Sequence, residues 1–311
     1  MFIRASTEVY PRCHQITIGG TCRFAIVSED RSITLVDPGS SAHIPALEER
    51  LSSAGLALSQ VSRILITHLH ADRVGAIPLL RQALPRLAVC GNAAMTAKLR
   101  DAAFVESVWR DDCELREIFT ASGTPLSLKD FRDGLSITKS LADGETLAID
   151  EDITVRAIST PGHTDHSQSF LVLPFSFLIG DETLGYYQGR RLATPGGDLS
   201  LESAVTSIKR FKDIQLTGIG FSYGGCITGG LARKHLDAVL LNTSDLITET
   251  RAALERGVAV EEVLAQVRES LFVPLVEDPC LVRSLGRSCD EIWKQLAGRL
   301  PHRAAGAAPT S

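Results

Sequence analysis

Three features of this 311-residue chain predict an α/β fold. Short apolar or alternating runs bounded by Gly, Ser and Asp fill its first third, and amphipathic stretches with helical spacing separate several of them. Strand-like sequence then resumes after a helical block at about residues 92–133, so strands and helices alternate along the chain.

In order, "QITIGG", "CRFAIVS" and "SITLVD" read as strands that end in turn-forming residues. A helix from about His43 to Ser53 follows "DPGSS", then the strand "RILIT", a helix in "RVGAIPLLRQAL" and the strand "RLAVCG". "NAAMTAKLRDA" and "FVESVWRDDCELREIF" carry apolar residues three and four apart and predict an inserted helical pair. "ETLAI", "ITVRAIST", "SQSFLVL" and "SFLIGD" return to strand. The last third is mostly helical, with "LESAVTSIKRFKD" first and the strand-like "LTGIGF" behind it. Beyond Gly230, Leu236, Val239, Leu240, Ile247 and Leu254 form one apolar stripe, and Val260, Val263, Leu264, Val267 and Leu271 form another. The expected division is a main domain over 1–230, a helical extension over 231–300 and a small, polar, flexible tail over 301–311.

Bulk chemistry narrows the function. A formal net charge of −5 and a pI near 5.9 argue against nucleic acid as a partner. No stretch reaches the roughly 18 apolar residues of a membrane span, and the amino terminus lacks a signal-peptide pattern, so a cytoplasmic protein is expected. Seven cysteines without CxxC spacing are expected to be reduced, structural thiols.

Chemistry concentrates at strand ends. "THLHADR" offers His68, His70 and Asp72 at alternate positions, "STPGHTDHS" offers His163, and "FLIGDETL" offers Asp181. Imidazoles with a carboxylate suit a borderline divalent cation. Asp37 in "LVDPGS" is placed to orient a ligand histidine, and His166 is expected to support the site rather than bind metal. His14, His43, His235 and His302 match no motif position.

Asp37-Pro38-Gly39, His68 to Arg73, Gly162-His163, Gly180-Asp181 and Tyr223-Gly224 together resemble the ordered signature of the metallo-β-lactamase superfamily over about residues 10–230. The resemblance implies an αββα sandwich with inserted helices and a C-terminal helical extension. It also implies a first metal site of His68, His70 and His163, with Asp181 able to bridge towards a second. That second site would use Asp72, Asp181 and two further histidines, whose positions here hold Arg73 and Tyr223. A guanidinium has no lone pair to give a metal. The second site is therefore expected to be impaired, with one metal per chain, Zn2+ in the first instance and Fe2+ or Mn2+ as alternatives. Arg73 either supplies fixed positive charge beside Asp72 or points away to pair with a surface carboxylate. Tyr223 either stabilises an oxyanion or bonds a backbone carbonyl.

The expected activity is hydrolysis of a small-molecule thioester or other activated acyl ester by a metal-activated water, with Asp72 holding or deprotonating that water. In layout the chain looks like the thioesterase-type members, among them the quinolone-signal response thioesterase. That likeness would make Tyr186 and Tyr187 line the pocket, ordinary packing being the other reading. The true zinc β-lactamases share an arginine like Arg73, but they keep the late histidine and use cysteine where Asp181 stands. Two other functions stay open: a mononuclear iron oxidoreductase similar to the persulfide dioxygenases, and a binding or regulatory protein with a decayed site. The C-terminal helices would either cap the same subunit or join a homodimer.

Overall fold

The computed structural model describes residues 1–187, 192–193, 201–259, 262–263 and 265. Two seven-stranded sheets form its centre. The first is ordered Thr7–Tyr10, Cys13–Ile18, Thr21–Val27, Ile33–Val36, Val61–Leu65, Ala88–Gly91 and Lys139–Ser140. The second is ordered Phe2–Ile3, Cys226–Thr228, Gly218–Gly220, Phe177–Ile179, Gln168–Leu173, Thr154–Ser159 and Thr146–Ala148. Thr21–Val27 and Ile33–Val36 are buried at every position, as strands covered on both faces must be. The resulting mixed α/β architecture is the expected sandwich.

The sheets meet through aromatic and aliphatic side chains. Phe24 of the first packs edge-on against Phe177 of the second, ring centroids 5.5 Å apart. Gly220 lets Phe24 come this close, because a Cβ there would lie 2.4 Å from its ring. Helix Ile44–Ser53 lays Leu47 and Leu51 on the outer face of the first sheet.

The expected helical pair is three helices: Ala93–Lys98, Ala102–Ile118 and Leu128–Gly134. Each starts on its own cap, with Asn92, Asp101 and Ser127 accepting backbone N–H groups of the first turn. The third is too short for apolar periodicity to reveal. From the longest, buried Asp112 accepts the Ser40 hydroxyl at 2.6 Å and the Ser41 amide at 3.0 Å, tying the insertion to the turn after Asp37. "RVGAIPLLRQAL" is likewise two helices, Ala71–Val74 and Ile77–Ala83.

Helix Gly230–Glu255 packs Ala232, Leu236 and Val239 into a core shared with Ile208, Phe211, Ile219 and Phe221. Most of the second apolar stripe and the 301–311 tail lie outside the described residues. Cys13, Cys22, Cys90, Cys113 and Cys226 are free thiols, while Cys280 and Cys289 lie outside the described residues. No described helix is long and apolar enough to cross a membrane.

His43 and His235, which match no motif, are both buried. The Arg23 guanidinium donates to His43 Nδ1 at 2.7 Å, which requires a neutral ring. Burial and Arg23 together bring its pKa down to about 3. A histidine lowered on folding stabilises fully above its unfolded value near 6.5 and progressively loses that contribution as the pH falls towards the folded one. At about pH 5 the loss is about 2 kcal/mol. His43→Gln keeps an acceptor for Arg23 and removes the proton site. The expected result in urea titrations at pH 7.5 and about pH 5 is a pH effect smaller by that amount than in the native protein; an unchanged difference would take His43 out of the acid response.

Candidate metal centre

Parallel pairing places the functional loops on one edge. Ile33–Val36 runs parallel to Val61–Leu65, and Phe177–Ile179 runs parallel to Gly218–Gly220. Asp37, His68, Asp181 and Tyr223 therefore follow the carboxyl ends of neighbouring strands, where open α/β sheets gather ligands. His163 joins them from the loop after Thr154–Ser159. Gly162 makes that turn possible, since a Cβ there would lie 2.8 Å from Ala204 and from Thr183.

His68, His70 and His163 stand mutually perpendicular, with ring centroids 4.6 to 4.7 Å apart. His163 Nε2 and His70 Nδ1 are 3.0 Å apart. The orientation of His68 is set by its neighbour. Thr67 gives its hydroxyl proton to Asp37 Oδ2 at 2.6 Å, so its oxygen accepts from His68 Nδ1 at 3.1 Å. That arrangement protonates Nδ1 and leaves the Nε2 lone pair facing the cluster. The support expected from Asp37 is thus delivered through Thr67. His166 accepts the Leu69 amide on Nε2 and donates from Nδ1 to Asp165, so it fixes the backbone between His68 and His70.

Arg73 is fully buried and turns inward. It pairs with Asp72 at 2.8 Å, approaches Glu182 Oε1 at 3.7 Å, donates to the Ser222 carbonyl at 3.1 Å and lies 4.5 Å from the Tyr223 ring centroid. The surface-pair alternative is excluded by this geometry. Tyr223 donates its hydroxyl to Asp72 Oδ2 at 2.5 Å, which commits its proton to Asp72 rather than to a backbone carbonyl or an oxyanion. Burial opposes charge on Asp72, but Arg73, His70 and the Tyr223 hydroxyl outweigh it and hold the carboxyl down to about 2.

Asp181 caps the 3-10 turn Glu182–Leu184, accepting the Thr183 amide on Oδ1 at 3.0 Å; its Oδ2 lies 3.9 Å from His68 Nδ1. Glu182, which the motif reading passed over, is equally buried, with Oε2 3.4 Å from His163 Nε2 and 3.8 Å from His68 Nε2. Burial pushes Asp181 up to about 6 and Asp37 and Glu182 up to about 7, despite His163 beside Asp181 and Arg73 near the other two. So many carboxylates cannot all stay ionised against one guanidinium in a low dielectric.

His68, His70 and His163 bring their nitrogens within 4.8 Å of one another, and His68, Asp181 and Glu182 make a second such group. His68 Nε2, Asp181 Oδ2 and Glu182 Oε2 are buried without hydrogen-bond partners among the described residues. Imidazole lone pairs and carboxylate oxygens left without protons to share are the donor set of a divalent cation, so the residues fit one. The identity of the ion does not follow from this set alone.

Residues 24–173 match the sequence profile of the metallo-β-lactamase superfamily, and the two-sheet sandwich shares the fold of solved metallo-β-lactamase structures. Among solved structures, a metallo-β-lactamase family protein of Thermus thermophilus superposes with a TM-score of 0.65 at 18% identity, covering 94% of this chain and 96% of that one. A metallo-β-lactamase fold-containing protein of Sulfurisphaera tokodaii is 25% identical over 190 residues, 59% of this chain and 68% of that one. The atrochrysone carboxyl ACP thioesterase of Aspergillus fumigatus is 29% identical over 291 residues, 85% of this chain. The chain spans 56% of the length of that fungal relative.

The Tyr187 ring packs against Phe2 and His235. These contacts are the packing that was one of its two expected roles. Of Tyr186 the structure describes the backbone, paired with Ala193.

Proposed function

We propose that the protein is a metal-dependent hydrolase of acyl thioesters, working with a single divalent ion, zinc in the first instance. The observation that carries this reading is the convergence of His68 Nε2, His70 Nδ1 and His163 Nε2 beside buried acidic oxygens that lack hydrogen-bond partners among the described residues. The thioester preference rests on the fungal relative, named a thioesterase, which aligns with 85% of this chain. When bound, a divalent ion there supplies Lewis acidity towards a carbonyl and lowers the pKa of water towards about 7.

The chain's own residues do the rest. His70 and Asp72 are the partly exposed members of the cluster, so substrate enters on their side. Asp72, held ionised by Arg73 and Tyr223, orients a water by accepting one of its hydrogen bonds; with its pKa near 2 it is too weak a base to carry the proton away. Arg73 and Tyr223 act through Asp72, which they keep charged and fixed. Hydrolysis breaks the acyl C–S bond, transfers the acyl group to the water oxygen and releases a thiol.

The test is thiol release from simple acyl N-acetylcysteamine thioesters by protein of measured metal content, before and after chelation. Expected is turnover that disappears with the chelator and returns with the divalent ion. Absence of thiol release from metal-replete protein, with oxygen uptake on a thiol persulfide by an iron-loaded form, would replace this reading with the oxidoreductase one.

A further inference from the structure

We infer that Glu182, one residue beyond the aspartate of the superfamily pattern, is the carboxylate ligand of the ion at the three histidines, with its other oxygen steadied by Arg73. This deepens the metal-dependent reading above and rests on it.

The relay from Asp37 through Thr67 leaves His68 Nε2 as a bare lone pair, and the nearest Glu182 oxygen faces it across 3.8 Å. Two acceptors confronting each other in a buried space repel unless a proton or a cation lies between them, and 3.8 Å is too long for a shared proton. The spacing suits that cation: two ligand atoms about 2.0–2.1 Å from a tetrahedral zinc lie about 3.3 Å apart. Glu182 Oε2 is 3.4 Å from His163 Nε2, and His163 Nε2 is 3.0 Å from His70 Nδ1. Asp181 is engaged differently, with Oδ1 bound to the Thr183 amide and Oδ2 nearest to the Nδ1 side of His68, the side away from the bare lone pair.

Charge leads to the same assignment. Asp37, Asp72, Asp181 and Glu182 put four buried carboxyl groups around one guanidinium, an excess of acidic groups that a divalent ion offsets. Arg73 lies 3.7 Å from Glu182 Oε1, the oxygen that does not face the histidines. The turn that carries Glu182 is also held from two directions. Thr183 Oγ1 accepts the His163 amide at 3.0 Å, and His235 of helix Gly230–Glu255 lies 2.8 Å from the Leu184 carbonyl through Nε2.

The test compares the native protein with Glu182→Gln and Glu182→Asp by calorimetric titration of the metal-free forms with Zn2+, by the absorption spectrum of the Co2+ forms, and by thermal unfolding without metal. Expected is a loss of metal affinity of at least about tenfold in both variants, the size seen when groups that tune a metal site are removed, with an altered cobalt spectrum. Metal-free Glu182→Gln should also melt higher than the native protein, because one of several buried carboxyl groups sharing the single Arg73 guanidinium has become a neutral amide. If instead both variants keep native affinity and the native cobalt spectrum, Glu182 serves Arg73 alone and the assignment is overturned. Should the glutamine variant not fold, Glu182→Asp carries the same two readouts. Thioester assays do not enter this comparison, so failure of the substrate assignment and failure of the ligand assignment are separately visible.

Discussion

Replacing His163 with alanine should strip the protein of its metal and lower hydrolysis by at least about a thousandfold. His163 Nε2 is the atom that approaches both His70 Nδ1 and Glu182 Oε2, at 3.0 and 3.4 Å. Its removal takes away the imidazole that lies between His70 and Glu182, so the remaining donors no longer converge on one point. The fold should survive, because the loop keeps its other anchors: the His163 amide still reaches Thr183, and Gly162 still lies against Ala204. Elemental analysis beside far-ultraviolet circular dichroism checks both halves. A folded variant with native metal content would move the centre away from these histidines.

The second large effect is on stability. Arg73→Met should lower the unfolding free energy of the metal-free protein by about 3–5 kcal/mol, the range for breaking a buried pair by deleting one partner. Methionine fills much of the space but leaves Asp72 without its 2.8 Å partner and takes one donor from the Ser222 carbonyl, which keeps the Cys22 amide at 2.7 Å. It also forfeits the stacking on Tyr223 at 4.5 Å, worth up to about 2 kcal/mol when desolvated. Arg73→Lys should recover only part of this, since an ammonium cannot serve Asp72, Ser222 and the ring in one planar fork. Guanidinium-induced unfolding gives the number, and a loss below about 1 kcal/mol in the methionine variant would mean that Asp72 finds another partner.

Much of this was legible in the sequence, for identifiable reasons. Strands announced themselves by β-branched runs ending in Gly or Asp, and strand ends are where the site lies, so His68, His70, His163 and Asp181 could be named together. Arg73 and Tyr223 were legible as departures from a pattern; that they bind the same carboxylate is a tertiary fact. Glu182 was hidden because it adjoins Asp181. Only the 3-10 turn after Asp181 brings the next side chain into the cluster, and nothing in "GDETL" distinguishes that from a strand running on. Asp112 was hidden differently: its partners Ser40 and Ser41 lie some seventy positions away, and helical spacing records no such pairing. The terminal strands Phe2–Ile3 and Cys226–Thr228 were missed because two or three residues carry no period.

Arg73 gives the centre a cation that is covalently part of the chain. A bound ion exchanges with its surroundings and can be withdrawn by a competitor; a guanidinium in the same neighbourhood cannot, and it stays charged at every pH the fold survives. Scarcity of metal therefore removes only the exchangeable share of the positive charge. The emptied cavity keeps a counter-charge against Asp72 and Glu182, and the chain can wait for its ion without the acidic wall forcing itself apart.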